Sequence, residues 1–472
     1  MKRILYIFFS AIVLFFAACK KNASDYKYNN VNSVSITTDT LDYAITQFEV
    51  LNINPTLTES KPNNDTYSYQ WKAYVIGGTP IILSTNKELN DTIALPPGEY
   101  ELEYRVTNNT TGLSAFELYS LTVNGAFYEG WLVSSNKSGK AMLSFIRSDD
   151  AIFLNPADAV NNTTYPGNAL AAYAGVGTNI SLALFFTDQG VFRFNANDFV
   201  QNGSTTDLFT DDKQFVNMPV YALGKYLIDQ YIVADGGLYM GIGPAFYPEE
   251  VLKPYSDRIT GDYNLFPGIF PSYILITYFY DNKYKRFMQA SYLSRNLTVS
   301  SGSTTAVFNL SDVGKTMIAA DKGVSSYYAN AYYFVMEDDS GRYLMSLEGS
   351  QGRTPTLNQK IDNSPDILKA TAFATSSVVR HMYYGADNKI YLYDILANSS
   401  RLVYSFPENY KIASINMLRA TSKRIVVGVN NDSEGEVYYF DLDNLGSIVN
   451  DTFTKKFTGF GEIAHLSFRE AG

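Results

Sequence analysis

Histidine, cysteine and tryptophan are scarce in this chain of 472 residues, with two His, one Cys and two Trp. A single cysteine excludes a disulfide framework, and together with two histidines it excludes any Cys- or His-rich metal site. A Ser-His-Asp type of triad would have to use His381 or His465. Positive charge is short as well. Against 47 Asp and Glu stand 37 Lys and Arg, a formal net charge of −10, and no basic run follows the N-terminus. That balance argues against a nucleic-acid partner. No later apolar stretch approaches the roughly 20 residues that a membrane-spanning helix needs, and the longest candidate, 273–280, has the length of a strand. What is abundant is aromatic: 38 Tyr and 30 Phe, in a chain long enough for two or three domains.

The N-terminus carries an address. Lys2 and Arg3 precede a thirteen-residue stretch, Ile4–Phe16, apolar apart from Ser10, and the small pair Ala17-Ala18 leads into Cys19. A charged start, a short apolar run and small residues at a cleavage point define a secretory signal peptide, here residues 1–18. The one cysteine of the chain stands at that cleavage point. Phe16-Ala17-Ala18-Cys19 resembles the bacterial lipobox, which implies that Cys19 receives diacylglycerol and a further acyl chain such as palmitate, and becomes the lipid anchor. Residues 19–33 are polar and Asn/Ser-rich without apolar periodicity, and read as a flexible tether. Lys20 stands where an inner-membrane retention signal shows Asp, so the expected location is the outer membrane. The Lys20-Lys21 pair leaves the surface and periplasmic orientations both open.

Residues 34–124 alternate with period two. In Tyr69–Val75 the residues Tyr69, Trp71, Ala73 and Val75 fall on one face; in Gly98–Val106 it is Tyr100, Leu102, Tyr104 and Val106, with Glu99, Glu101, Glu103 and Arg105 opposite. Such alternation with one charged face means half-buried antiparallel strands. Pro96-Pro97-Gly98 and Asn108–Gly112 are the bounding turns. Tyr69-x-Trp71 with Pro97-Gly98-x-Tyr100 resembles the PKD branch of the immunoglobulin-like sandwiches, although Ile76-Gly77-Gly78-Thr79 replaces the usual Gly-Asp-Gly loop. The resemblance implies a core role for Trp71 and a spacer role for the domain.

Beyond Gly125 one unit recurs: an apolar strand, a tight turn with Gly or Asn, and a second strand rich in Tyr and Phe. Its turns centre near 138, 189, 236, 282, 340, 388 and 433, on average about 49 residues apart. Asp-x-Gly and Asp-Asn between β-rich runs are hairpin signals, because those residues tolerate the positive φ of a tight turn. Hairpins at this period predict a β-propeller over residues 126–472, one blade per period and seven in all. Ile463–Phe468 is the expected closing strand, beside the Trp131 hairpin. The fold class is therefore all-β, an immunoglobulin-like sandwich followed by a propeller.

Chemistry is sparse in this scaffold. His381 and His465 both alternate within strands, where a packed imidazole is the ordinary case. Paired acids at 149–150, 211–212, 338–339 and 441/443 lie at or near turns and read as solvated caps rather than a glycosidase pair. No sialidase box, calcium loop, P-loop or Gly-x-Ser-x-Gly elbow is present, so no catalytic residue, metal or cofactor is expected. The insertion 241–273, dense in Pro, Gly and aromatics, is the expected ligand contact. Its tyrosines Tyr247, Tyr255 and Tyr263 are expected to be exposed, and Phe266 and Phe270 to pack closer in.

Lipobox, tether, PKD-like domain and propeller together resemble the PKD-like lipoproteins that accompany SusC/SusD-type outer-membrane importers. That resemblance implies a non-enzymatic accessory subunit that binds a peptide or oligosaccharide, or a partner, for a TonB-dependent transporter. A propeller glycosidase or polysaccharide lyase acting before uptake, and a pure protein-interaction scaffold, are the alternative expectations.

Overall fold

The structure, a computed structural model, describes residues 31–470 apart from 63, 76–77, 178–179, 225–228, 243–252, 273–274, 292–293, 324–330, 349–353 and 433. Cys19, most of the tether and Tyr247 lie outside the described residues. The chain divides into two compact units, one reaching Ala94 and resuming over Gly98–Val123, the other formed by Leu95–Pro97 and the chain from Asn124 on.

In the first unit, Gly98–Asn108 lies between Tyr67–Tyr74 and Ser114–Asn124, and Asp42–Thr46 and Ile81–Ser84 complete a five-stranded antiparallel sheet. Two short pairs accompany it, Val34–Thr37 with Thr56–Glu59 and Val50–Ile53 with Leu89–Thr92. The alternation dictates what is buried. Trp71, Ala73, Tyr100, Leu102, Tyr104 and Val106 are all in the core. The Trp71 ring stacks on Tyr104 at 4.2 Å, and its indole N–H donates to the Asn86 carbonyl at 3.1 Å. Val75 departs from the expected inward face. The strand ends at Tyr74, so the pleat no longer holds its side chain inward and it is exposed.

The second unit is a propeller of seven sheets. All seven expected hairpins form the middle pair of a sheet. Five have two-residue loops, as in Lys137↔Lys140 and Ala234↔Gly237, and two have four-residue loops. Positive φ at both loop residues of Ser138-Gly139 and Asp235-Gly236 is what such hairpins require. At Gly236 a Cβ would stand 1.9 Å from the Asn264 side chain, so the turn also needs glycine for space.

Each sheet gains an inner strand. For the second to seventh sheets these are Ala169–Gly177, Val220–Leu223, Phe270–Pro271, Thr316–Gly323, Ala372–Thr375 and Lys411–Met417. The first sheet takes its inner strand from the far end of the chain. Glu462–Arg469 pairs antiparallel with Gly130–Lys137, Trp131 opposite Phe468 and Val133 opposite Leu466. Seven apolar clusters fill the seven gaps between successive sheets, and the last joins Trp131, Val133 and Ile146 to Val426, Tyr439 and Phe460. The ring is thus closed both by strand pairing and by packing.

A polar clamp recurs at three of these gaps. Asn136, Asn282 and Asn430, each at a hairpin end, bond both the N–H and the C=O of one residue on the next inner strand. Their partners are Ala169, Met317 and Ile463, with N–H to Oδ1 distances of 2.7, 2.8 and 2.7 Å and Nδ2 to carbonyl distances of 3.3, 3.1 and 3.0 Å. The amide side chain stands in for a strand neighbour where the sheets diverge. Removing it leaves a donor and an acceptor unsatisfied. Asn430→Ala is therefore expected to lower the unfolding free energy by about 2 kcal/mol, read from a denaturant midpoint; a loss below about 0.5 kcal/mol would refute the clamp.

The third sheet has three strands among the described residues, and the insertion takes the fourth place. Tyr255 bridges to Gly241, the Ser256 N–H donates to Met240 at 2.9 Å, and the Ile259 N–H donates to Leu238 at 2.8 Å. Pairing along that edge turns the rings inward. Tyr255 is buried, stacked on Phe209 at 5.1 Å with its hydroxyl donating to Gln230 at 2.8 Å. Tyr263 is buried too, under the Arg258 guanidinium at 4.4 Å, and its hydroxyl bonds the Ile259 carbonyl. The expected exposure of Tyr255 and Tyr263 is corrected: both rings pack in the gaps beside the third sheet.

Candidate functional site

The inner strands surround a cavity of about 440 Å³ on the ring axis, a size that suits a small ligand. It draws on six of the seven sheets. Tyr173 comes from the second, Val220 from the third, Phe270 from the fourth, Asp321 and Lys322 from the fifth, Asn416 and Met417 from the seventh, and His465–Phe468 from the closing strand. The inner edges of the sheets converge on the axis, so a closed ring gathers groups remote in sequence.

One wall is aromatic. Trp131 packs against Phe468 at 4.9 Å, and Tyr173 lies against the His465 ring at 4.7 Å. Phe270 meets Tyr332 edge-on at 5.5 Å, and the Tyr332 hydroxyl donates to the Pro271 carbonyl at 2.7 Å. Among the described residues the insertion reaches the cavity through Pro267 to Phe270. Phe266 lies half-buried against the cluster between the fourth and fifth sheets, outside the cavity wall.

The lining is also charged, and Lys322 is the register partner of Tyr332. The Arg419 guanidinium donates to the carbonyls of Lys322 at 2.6 Å and Thr375 at 2.5 Å and forms an ion pair with Asp321. Asp321 also accepts N–H bonds from Lys322 and Thr375, both at 2.8 Å. Arg419 thus ties the fifth, sixth and seventh sheets together and is held in one orientation.

His465 lies deep in the ring, and burial pushes its imidazole down to about 4. It is uncharged at neutral pH, and its Nδ1 has no partner among the described residues. Burial likewise raises the Tyr173 phenol, which stays protonated and donates to the Pro219 carbonyl at 3.1 Å. A histidine depressed in the folded state is protonated first in the unfolded chain, whose ordinary value is near 6.5. Stability is then full above about 6.5 and falls as the pH drops toward 4. Between pH 7 and pH 5 this amounts to a loss of about 2 kcal/mol. His465→Gln should flatten that slope in denaturant titrations, and an unchanged slope would remove His465 as its origin.

Among the described residues no group of three His, Cys, Asp or Glu could hold a metal ion. Among the described residues the acids lining the cavity are Asp321, taken by Arg419, and the exposed Glu470. The paired acids seen in sequence cap or brace turns instead, Asp149 on Arg147, Asp338 on Ser340 and Lys315, Asp441 on Arg424. His381 is outside the cavity wall. Nothing in the sequence groups Arg419, Asp321 and His465, because they sit on three different blades. The one available signal was the alternation that turned His465 to one face of the closing strand.

The PKD-like family model matches residues 19–169. No curated protein matches the chain. Among solved structures, a quinonprotein alcohol dehydrogenase-like protein from Bacteroides thetaiotaomicron VPI-5482 is similar at 12% identity. It covers 91% of this chain and 97% of its own, with a TM-score of 0.48. The extracellular domain of a protein assigned as a one-component system from B. thetaiotaomicron also matches at 12% identity, over 62% of this chain and 39% of its own, with a TM-score of 0.37. At such identities and scores neither likeness says anything about activity.

Proposed function

We propose that the chain is an outer-membrane lipoprotein anchored through Cys19, a non-enzymatic ligand-binding subunit of a SusC/SusD-type TonB-dependent uptake system. The observation that carries the binding role is the axial cavity, whose lining combines aromatic rings with the braced Arg419–Asp321 pair. An enzyme of the glycosidase or lyase kind calls for free acids converging on the cavity, whereas here Asp321 is spent on Arg419. The lipoprotein reading draws support from the family match, which begins at Cys19, the residue that would be first in the mature chain.

Each buried acyl CH₂ contributes about 0.8 kcal/mol, so two or more chains hold a protein firmly where one holds it only marginally. Cys19→Ala should therefore move the protein from the membrane to the soluble fraction and abolish incorporation of labelled palmitate. Retention of both would end the anchor. Capture of the lipidated protein from detergent-solubilised membranes addresses the transporter, and recovery without any importer subunit would count against that partner.

A further inference from the structure

We infer that a pocket between the fourth and fifth sheets, apart from the axial cavity, binds a neutral saccharide. It measures about 420 Å³ and shares no lining residue with the cavity on the axis. Its floor belongs to the apolar cluster that joins these two sheets, where Tyr278, Phe308 and Leu310 are 3%, 7% and 7% exposed. Side chains so closely covered leave an apolar ligand almost nothing to bury. Among the described residues the lining carries no charged side chain. A charged ligand would lose hydration there without gaining a counter-charge. What the walls do offer is neutral and polar.

Gln289 lies between Tyr278 and Thr298 in the register of the fourth sheet, and its side-chain amide has no hydrogen-bond partner among the described residues. Ser300 follows the outer strand of that sheet, and its backbone N–H donates to the Phe287 carbonyl at 3.0 Å. Its hydroxyl, on a residue 1% exposed, has no partner among the described residues. A buried hydroxyl of this kind in a pocket wall is satisfied by a ligand hydroxyl, which both donates and accepts. Ser301 and Thr354 add exposed hydroxyls at the rim. The loop that carries the serines is fixed in advance. At Gly302 a Cβ would stand 1.5 Å from Asn309 Oδ1, which accepts the Ser311 N–H at 3.0 Å. One amide and three hydroxyls, uncharged and already placed, match the hydroxyls of a sugar ring at little ordering cost.

The test is calorimetry on the full-length protein, in a detergent without a sugar headgroup, with maltotriose, cellotriose and galactotriose. Trigalacturonate and the blocked peptide acetyl-Ala-Ala-Ala-amide serve as contrasts. At least one neutral trisaccharide should bind, and trigalacturonate should bind at least about tenfold more weakly than that sugar. Gln289→Leu and Ser300→Ala should each weaken the sugar by about fivefold, the worth of one hydrogen bond. Ser300→Ala removes a hydroxyl without a partner, so its denaturant midpoint should be unchanged or raised, which separates lost binding from lost folding. Failure of all three neutral sugars to bind, equal affinity for trigalacturonate, or binding of the blocked peptide in their place would overturn the assignment. Sugar binding that both variants leave intact would overturn this pocket as the site while leaving the ligand-binding role of the axial cavity standing.

Discussion

Truncation after Gly461 is expected to open the ring and leave the propeller without a native state. The lost strand pairs with Gly130–Asn136 over seven register positions and buries Ile463 and Leu466 in the cluster between the seventh and first sheets. Each of those side chains contributes about 1.5–3 kcal/mol on burial. The backbone bonds and the freed edge of Gly130–Lys137 add to that, so the total exceeds about 5 kcal/mol, the lower end of a whole domain's stability. Trp131 reports the event, since it is 3% exposed and packs on Phe468, which the truncation removes. In a Trp71→Phe background Trp131 is the only tryptophan. Its emission in the truncated chain should be red-shifted without denaturant. Native emission with an unchanged unfolding midpoint would mean that the ring does not depend on this strand.

The second large effect lies in the PKD-like unit. Trp71 is fully buried, stacked on Tyr104 at 4.2 Å and near Tyr119 at 6.0 Å. Truncating such a ring to alanine removes its transfer free energy and leaves a cavity, a loss of about 4 kcal/mol. A sandwich of this size has little more than that to lose. Trp71→Phe keeps a ring on Tyr104 and should lose only about half as much, the indole bond to Asn86 included. Hydrogen exchange in Tyr67–Tyr74 and Gly98–Asn108 follows this unit, while Trp131 emission follows the propeller in the same samples. Full protection of both strands in Trp71→Ala would refute the central place given to this ring.

The blade middles were legible because their turns are chemical signals. Ser138-Gly139 and Asp235-Gly236 take the positive φ that their residue types announce, and the strands on either side carry the apolar runs. The closing strand was legible for a related reason: Ile463, Leu466 and Phe468 needed a partner surface, and Trp131 and Val133 needed the same. The inner strands were not. Val220–Leu223 and Phe270–Pro271 are too short for periodicity, and they are held by their neighbours rather than by their own sequence. The insertion misled for the same reason. Nothing local distinguishes a tyrosine that waits for a ligand from Tyr255, which fills the edge of a sheet short of a strand.

Scarcity of histidine and cysteine excluded whole classes of chemistry from the sequence by itself, and the repeat of about 49 residues determined the all-β ring. Those are properties of composition and of local turn preference, and no partner is needed to express them. Which side chains meet at the axis was decided only in three dimensions. Asp321, Arg419 and His465 are separated by 98 and 46 positions along the chain, and they come to one cavity because closing the ring brings the inner edges of their sheets to a common centre.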